Sequence, residues 1–521
     1  MSADNRYLDA GLPAQRELCG VPYAMISKIV FYDLSLENLG VQILKSILNR
    51  NGFNAKVIYE PTYSDAFIRR PNYSDRLEKG IKEILSLDPD VVAFSVYTFN
   101  IAYYLQVAGR LKNLNPNIIT LFGGSHATLV KEKLLANPSV DFSIIGEGEA
   151  AIVELLEELN GQKRFHQVRN LCYRKNGLVF SNPVRPYIHD LDNLPFPDKS
   201  DYFSKNSLCY TRYLISASRG CPFKCTFCSN EPLHEIYHEE RKHLRARSPA
   251  NVIEELVAVT RAYPVKCIHF IDELFTARPS WLQEFAKLYK KEINLPLECD
   301  THPLLLNNRS LDLLKDINTK VISVGVQTGS DDMRQTLLKR KESNVQIASM
   351  IQAAKEREIK IGIDHIFGLP GETFDHIKES IDRYADWGPT YVNINWLQYL
   401  PGTKIIDSAI ECGNIKEQDR QKIDDGLFFF EDYQLLPEHR IIYGKYINLM
   451  QCIGVLPGNV VHFLNNHIEW IPHHHIAGRI VQVISRVFLN RKNWAMRYLL
   501  IAVHEKMKNF TAKYKMIMTD R

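Results

Sequence analysis

The sequence predicts an α/β protein: two successive runs of strand–helix alternation, then a mainly helical region. Three observations carry the prediction. Over 27–160, short apolar runs alternate with amphipathic stretches of helical period. After a proline-rich interruption the alternation returns at 213 with a new rhythm. From about 404 it is lost, leaving helical, aromatic-rich chain. The 521 residues are 45% hydrophobic and 24% charged, which marks an ordered globular protein. Sixty-four Lys and Arg against 60 Asp and Glu leave a formal charge of +4, too weak to point to nucleic acid. The N-terminus has no basic-then-apolar signal pattern, and no uninterrupted apolar run of about 18 residues predicts a membrane span. A cytoplasmic protein is therefore expected.

The first run opens with SKIVFYD (27–33), a strand, and LENLGVQILKSILNRNG (36–52), a helix stopped by Asn-Gly. A strand at 54–60 and a helix at 74–87 follow, then a buried strand at 91–98 and a helix at 101–114. Apolar runs at 118–124 and 142–148 each end in glycine and lead into helical patterns. Five such units predict an open parallel sheet covered on both faces. Its ligands should sit beyond the carboxyl ends of the strands. Those ends read Tyr97-Thr98-Phe99-Asn100, Gly123-Gly124-Ser125-His126 and Gly146-Glu147-Gly148-Glu149.

Residues 161–207, with Pro183, Pro186, Pro195 and Pro197, read as an extended linker after a first domain of 1–160. The second run, 208–405, has strand candidates at 213–218, 266–272, 297–301, 321–327, 359–367 and 391–400. Helical patterns near 249–262, 280–291, 309–317, 344–357 and 373–386 separate them. Ser248-Pro249 and Gly371-Glu372-Thr373 mark helix starts. Six units are too few to close an eightfold barrel, so a partial, open barrel is predicted, with active groups at the C-terminal strand ends. Residues 406–521 are predicted helical. Within them, 476–521 hold ten Lys and Arg against Glu505 and Asp520. That excess reads as a solvated helix face or as a contact for an anionic substrate or lipid surface.

Ten cysteines are present, and three of them fall within eight residues. Cys221, Cys225 and Cys228 stand in the spacing C-x3-C-x2-C directly after the first barrel strand. Without a signal pattern, such a cluster favours metal over disulfide. Three thiolates on one loop can hold three irons of a [4Fe–4S] cluster, leaving one iron open to an exchangeable ligand. A structural zinc site is the alternative, but it wants four closed protein ligands, and no second pair lies nearby.

The motif resembles that of the radical S-adenosylmethionine (SAM) superfamily. The resemblance implies a cluster whose open iron binds SAM, with Cys221, Cys225 and Cys228 as ligands and Phe227 shielding the cluster and adenine. Further stretches match in order over about 190–405. Ile271-Asp272-Glu273 resembles the acidic end of the second strand, which implies Glu273 near the SAM amino group. Gly325-Val326-Gln327-Thr328-Gly329-Ser330 resembles a G-x-E-S-G stretch; Gln327 replaces the acid, keeping hydrogen bonding without charge. Gly368-Leu369-Pro370-Gly371-Glu372-Thr373 resembles the G-L-P-G-E-T turn, implying Gly368 and Pro370 against the cofactor. Leu400-Pro401-Gly402-Thr403 resembles the adenine side, with Leu400 as the contact.

The N-terminal strand ends are similar to those of the cobalamin-binding domain fused ahead of many radical SAM enzymes, and Leu191 to Pro197 resembles their linker. This resemblance implies a flavodoxin-like domain that presents a corrinoid to the barrel mouth. Its contacts would be Ser95, Tyr97, Thr98, Gly123, Gly124, Ser125, His126, Gly146, Glu147 and Gly148. The D-x-H-x-x-G signature of cobalt-ligating histidine is absent, since Leu34-Ser35-Leu36-Glu37 follows Asp33. The expectation is base-off cobalamin without a histidine ligand. The implied activity is methyl transfer from methylcobalamin to an unactivated carbon or phosphorus, after a 5′-deoxyadenosyl radical removes a substrate hydrogen. Alternatives are a non-methylating cyclisation or rearrangement, a radical SAM enzyme that binds no cobalamin, and a sensing module. A small-molecule, lipid or peptide substrate and an electron donor such as flavodoxin or ferredoxin are the implied partners.

Overall fold

The structure, a computed structural model, describes residues 25–35, 37–60, 73–205, 209–237, 244–429 and 432–473. The first sheet contains β1 (Lys28–Asp33), β2 (Asn54–Tyr59), β3 (Val91–Ser95), β4 (Ile119–Gly123), β5 (Phe142–Ile144), β6 (Leu171–Lys175) and β7 (Leu178–Ser181). Its order is β2-β1-β3-β4-β5-β6-β7. The first five strands are parallel, in register from Lys28↔Asn54 to Leu121↔Phe142. Every central residue of β1, β3 and β4 is buried, as fits strands covered on both faces. The order 2-1-3-4-5 is that of a flavodoxin-like sheet, whose ligand crevice opens where the winding reverses between β1 and β3. Five strands and their intervening helices therefore fall where the hydrophobic period placed them.

One expectation is corrected. The segment 161–207 is not extended throughout: β6 and β7 form an antiparallel hairpin on the sheet edge. Asn176 and Gly177 turn it, with φ of 52° and 74°. Both central residues at positive φ suit a type I′ turn, for which Asn-Gly between apolar runs is the strongest local signal. In the sequence that pair stands beside the proline-dense stretch from Pro183 to Pro197, which obscures it. Among its described residues, 182–199 forms neither strand nor helix apart from a short 3-10 turn at Leu191–Asn193.

The barrel strands are β8 (Arg212–Ile215), β11 (Cys267–Phe270), β12 (Leu297–Thr301), β13 (Thr319–Gln327), β14 (Lys360–Phe367) and β15 (Tyr391–Trp396). Between the first two lies a small antiparallel pair, β9 (Ser218–Arg219) with β10 (Arg245–Ala246). The six run parallel in the order β15-β14-β13-β12-β11-β8, so the sheet curls without a closing pair among the described residues. Local chemistry sets the helices that follow. Ser248 caps Pro249–Ala262 by accepting from Asn251 N. Capping boxes start Asn308–Asp316 (Asn307 with Ser310), Asn344–Glu356 (Ser343 with Gln346) and Phe374–Trp387 (Thr373 with His376). Helices at Ile405–Glu411, Asp419–Asp424, Pro437–Met450 and Gly458–Asn466 make up the C-terminal region. The basic stretch 476–521 lies outside the described residues. Among those described, no helix is long and apolar enough to cross a membrane.

One apolar core joins the two sheets through the linker. Tyr202 and Phe203, on the helix Ser200–Lys205, pack with Tyr59 of β2 and Tyr213 of β8 in a single cluster. Tyr202 donates to the buried Asp33 carboxylate at 2.6 Å. Lys45 pairs with Asp198 and Asp201 at 3.1 and 2.7 Å. These contacts hold the strand ends of the two sheets toward each other.

Candidate active site

The chain leaves β8 through a turn held by Asp272, at the end of β11. Its buried carboxylate accepts Ala217 N at 3.0 Å and the Ser218 hydroxyl. Burial raises the Asp272 carboxyl to about 7 although both donors oppose it. The cysteine loop comes next. Cys228 N donates to Cys225 O at 3.1 Å. Thr226 Oγ1 donates to Leu337 O at 2.7 Å, and Ile405 N donates to Thr226 O at 3.0 Å. The loop is thus stitched to segments beyond β13 and β15.

Burial pushes the Cys221 thiol up to about 12, and raises Cys225 and Cys228 as well. Buried thiols of this kind become thiolates only when a metal takes the proton's place. Two donors already point at sulfur: Arg340 Nη1 lies 3.6 Å from Cys225 Sγ, and Asn230 Nδ2 lies 3.7 Å from Cys228 Sγ. Arg340 is itself fixed by Glu342 and Gly325 O, each at 2.6 Å. Among the described residues no three His, Cys, Asp or Glu side chains gather as a single-metal site demands. Three thiolates that each hold a separate iron have no such need, so the donor set fits a cluster. The sequence reading missed Arg340 and Asn230. Arg340 lies 112 positions after Cys228, with no spacing rule to link them.

A cavity of about 570 Å³ opens at the barrel mouth. Phe227, Gln327 and Leu400 line it, together with Asp364, Asn395 and Trp396. Gln327 has φ of 71°, and a Cβ on Gly325 would come within 2.4 Å of its Nε2. The Gly-x-Gln pattern therefore clears space for the amide. Phe428, Phe429 and Tyr433 supply another wall, and Thr98 and Phe99 reach in from the first sheet. Gly368 and Pro370 line neither cavity. Gly368, at φ 77°, packs under Trp396 and donates to Glu372, while Pro370 is buried. Here G-L-P-G-E-T shapes the turn that carries the Thr373 cap.

A second cavity, about 500 Å³, lies between the two sheets. Ser95, Gly123, Gly124, Ser125, Gly146, Glu147 and Gly148 line one side; Gly220 and Glu273 line the other. Leu191, Leu194, Pro195 and Pro197 of the linker close an edge. The glycines divide. A Cβ on Gly124 would stand 2.8 Å from Val96 N, and one on Gly146 only 2.0 Å from Tyr237 Oη, so packing within the protein requires both. A Cβ on Gly123 meets nothing nearer than 3.9 Å, and one on Gly148 nothing nearer than 3.6 Å. Those two leave a cradle that a side chain would fill. Leu44, Ala93, Leu121, Ile144 and Ile152 make its floor apolar, which suits a large ligand with a flat base. Tyr97, Thr98 and His126 do not line this cavity. His126 is fully buried, 3.0 Å from Thr98 Oγ1, and burial lowers its ring to about 4.

Comparison with known proteins agrees with this geometry. The Radical SAM superfamily model matches residues 215–384, and the B12 binding domain model matches 32–156. This is a radical SAM enzyme with a B12-binding domain. The two domains imply a [4Fe–4S] cluster, SAM and cobalamin as its cofactors. An uncharacterized methyltransferase of Pyrococcus horikoshii is 26% identical to the enzyme over 335 residues, 63% of this chain and 71% of the relative. An anaerobic magnesium-protoporphyrin IX monomethyl ester cyclase of Rubrivivax gelatinosus is 28% identical over 360 residues, 65% of this chain and 61% of the relative. The cobalamin-dependent SAM radical enzyme OxsB shares the fold, with a TM-score of 0.64 at 15% identity over 89% of this chain and 75% of that one.

Proposed function

We propose that the enzyme transfers a methyl group to a small molecule at a carbon or phosphorus centre that ordinary nucleophilic methylation cannot reach. In this reading 1–160 carries the corrinoid, 208–405 carries the cluster and SAM, and 406–521 shapes the substrate pocket. Cys221, Cys225 and Cys228 hold three irons, with Arg340 and Asn230 donating to two of the sulfurs. Phe227, Gln327 and Leu400 bind SAM from the barrel mouth, and Glu273 approaches it from the inter-domain side. Gly123, Gly148, Ser95 and Ser125 admit the corrinoid against backbone. When bound, the cluster supplies an electron to SAM and the corrinoid supplies the methyl group. The protein's own part is to orient these groups and exclude water, so no general acid or base is assigned.

The single observation that carries the reading is the composition of the inter-domain cavity. Gly220, adjacent to Cys221, and Gly123, at the open strand end, face one space. A corrinoid there would lie against the loop that holds the cluster. Anaerobic protein from a cobalamin-fed host should contain about four irons and one corrinoid per chain. Iron without corrinoid, even after reconstitution, would sink the methyl-transfer reading. Methyl-labelled SAM then separates methylation from the second reading, an oxidative cyclisation favoured by the resemblance to the cyclase. Label in product supports the first, and 5′-deoxyadenosine without label in product supports the second. Reduced flavodoxin or ferredoxin is the proposed electron donor.

A further inference from the structure

Glu147 lines the inter-domain cavity, yet its carboxylate is committed to protein. Oε1 accepts Arg219 Nη1 at 3.0 Å and Arg245 Nη1 at 2.7 Å; Oε2 accepts Ile188 N at 2.7 Å. The second nitrogen of the Arg219 fork, Nη2, pairs with Glu149 at 2.7 Å. Arg219 stands two residues before Cys221 and is paired with Arg245 across the β9–β10 ladder. Glu147 N donates to Tyr237 Oη at 2.8 Å, and Tyr237 stacks on Tyr187 at 3.7 Å between ring centres. Arg245 lies over that same Tyr187 ring at 4.1 Å. Four stretches of chain remote in sequence therefore meet at one carboxylate: a strand end of the first sheet, the linker, the approach to the cysteine loop, and β10 beyond that loop.

The charges balance, two carboxylates against two guanidiniums. Burial pushes the Glu147 carboxyl up, but Arg219 and Arg245 outweigh it and hold the group below its usual value. Such a pair does little for stability relative to apolar packing, but it fixes geometry, because losing one partner strands the others. A fork bonded to two acids also fixes angle as well as distance.

We propose that Glu147 is a positioning residue: with Glu149 it clamps Arg219 and Arg245, and so sets the separation between the corrinoid and the cluster. The clamp rests on the proposed function, in which both cofactors occupy their sites. Its purpose comes from the chemistry, since a misplacement of about 1 Å in a reacting assembly costs on the order of 100-fold in rate.

The test uses the holoenzyme loaded with both cofactors, reduced so that Co(II) and the cluster are paramagnetic. Pulsed electron paramagnetic resonance then reads the cobalt–cluster distance distribution. Wild type should give one narrow distribution. Glu147→Gln should keep wild-type iron and corrinoid content and broaden the distribution, and Arg219→Lys should broaden it less. An unchanged narrow distribution in Glu147→Gln overturns the proposal. Loss of corrinoid from a folded Glu147→Gln protein also overturns it, making Glu147 a corrinoid ligand instead. Should Glu147→Gln not fold, Glu149→Gln takes its place, because it removes only the Arg219 Nη2 contact; no broadening there is equally fatal. Wild-type protein that loads no corrinoid would refute the functional reading itself, a result distinct from all of these.

Discussion

The two sheets face a common space with opposite means. The first presents backbone: Gly123 and Gly148 leave room that no side chain claims, over a floor of aliphatic residues. The barrel presents side chains, and each is held by another. Asp272 holds the turn before the thiols, Glu342 holds Arg340, and Glu147 holds Arg219 and Arg245. A broad, largely neutral ligand is met by taking side chains away, whereas a compact charged group is met by adding side chains and bracing them. The contrast is between a surface made by omission and one made by support.

Removing a support should do the most damage. Cys225→Ala is expected to lose bound iron and with it reductive SAM cleavage, checked by iron analysis and by 5′-deoxyadenosine release; full retention of either would break the contrast on the barrel side. On the other sheet, adjacent glycines should behave differently. Gly124→Ala forces a side chain onto φ of 96° against Val96, costing about 1–3 kcal/mol of stability in a thermal melt. Gly123→Ala should melt near wild type but weaken corrinoid binding roughly tenfold, because its methyl enters only the cradle. Equal loss of stability in both would mean that Gly123 is architectural too.

A buried histidine sharpens the comparison by pH. In the barrel, burial holds His365 near 3, well under its usual 6.5, with Nδ1 3.0 Å from Tyr384 Oη. Between those values the unfolded chain binds a proton that the folded chain refuses. Its contribution to stability is therefore complete above pH 6.5 and falls with acidification, by about 1.4 kcal/mol per unit. Urea unfolding at pH 7 and 5.5 should show that loss, and His365→Gln should show less of it. The smallest effect expected is electronic. Arg340→Met removes a cation from Cys225, so the cluster potential should drop on the order of 50 mV in a spectroscopic redox titration. No shift would mean that Arg340 only ties loop to strand.

Periodicity made the fold legible, because buried parallel strands and capped helices write themselves locally. The parallel strands of both sheets follow from apolar runs, and Ser248 and Thr373 from capping chemistry. The cysteine loop was legible for the same reason, its ligands being close in sequence. The hairpin at Asn176-Gly177 was present as a signal but masked by neighbouring prolines. Arg340 and the partners of Glu147 were not legible, since their roles depend on contacts between segments 41 to 115 positions apart. Gly368 and Pro370 show the converse: a motif can be read while its residues serve the turn and line no cavity.

Phe428, Phe429 and Tyr433 face the barrel mouth from outside the segments that carry the thiols and the corrinoid cradle, although Phe227 packs against the same apolar cluster. In the proposed reading, the part of the chain that chooses a substrate can then drift while the reactive machinery stays fixed. Selectivity and reactivity become separately inheritable, and a new product requires only a new wall.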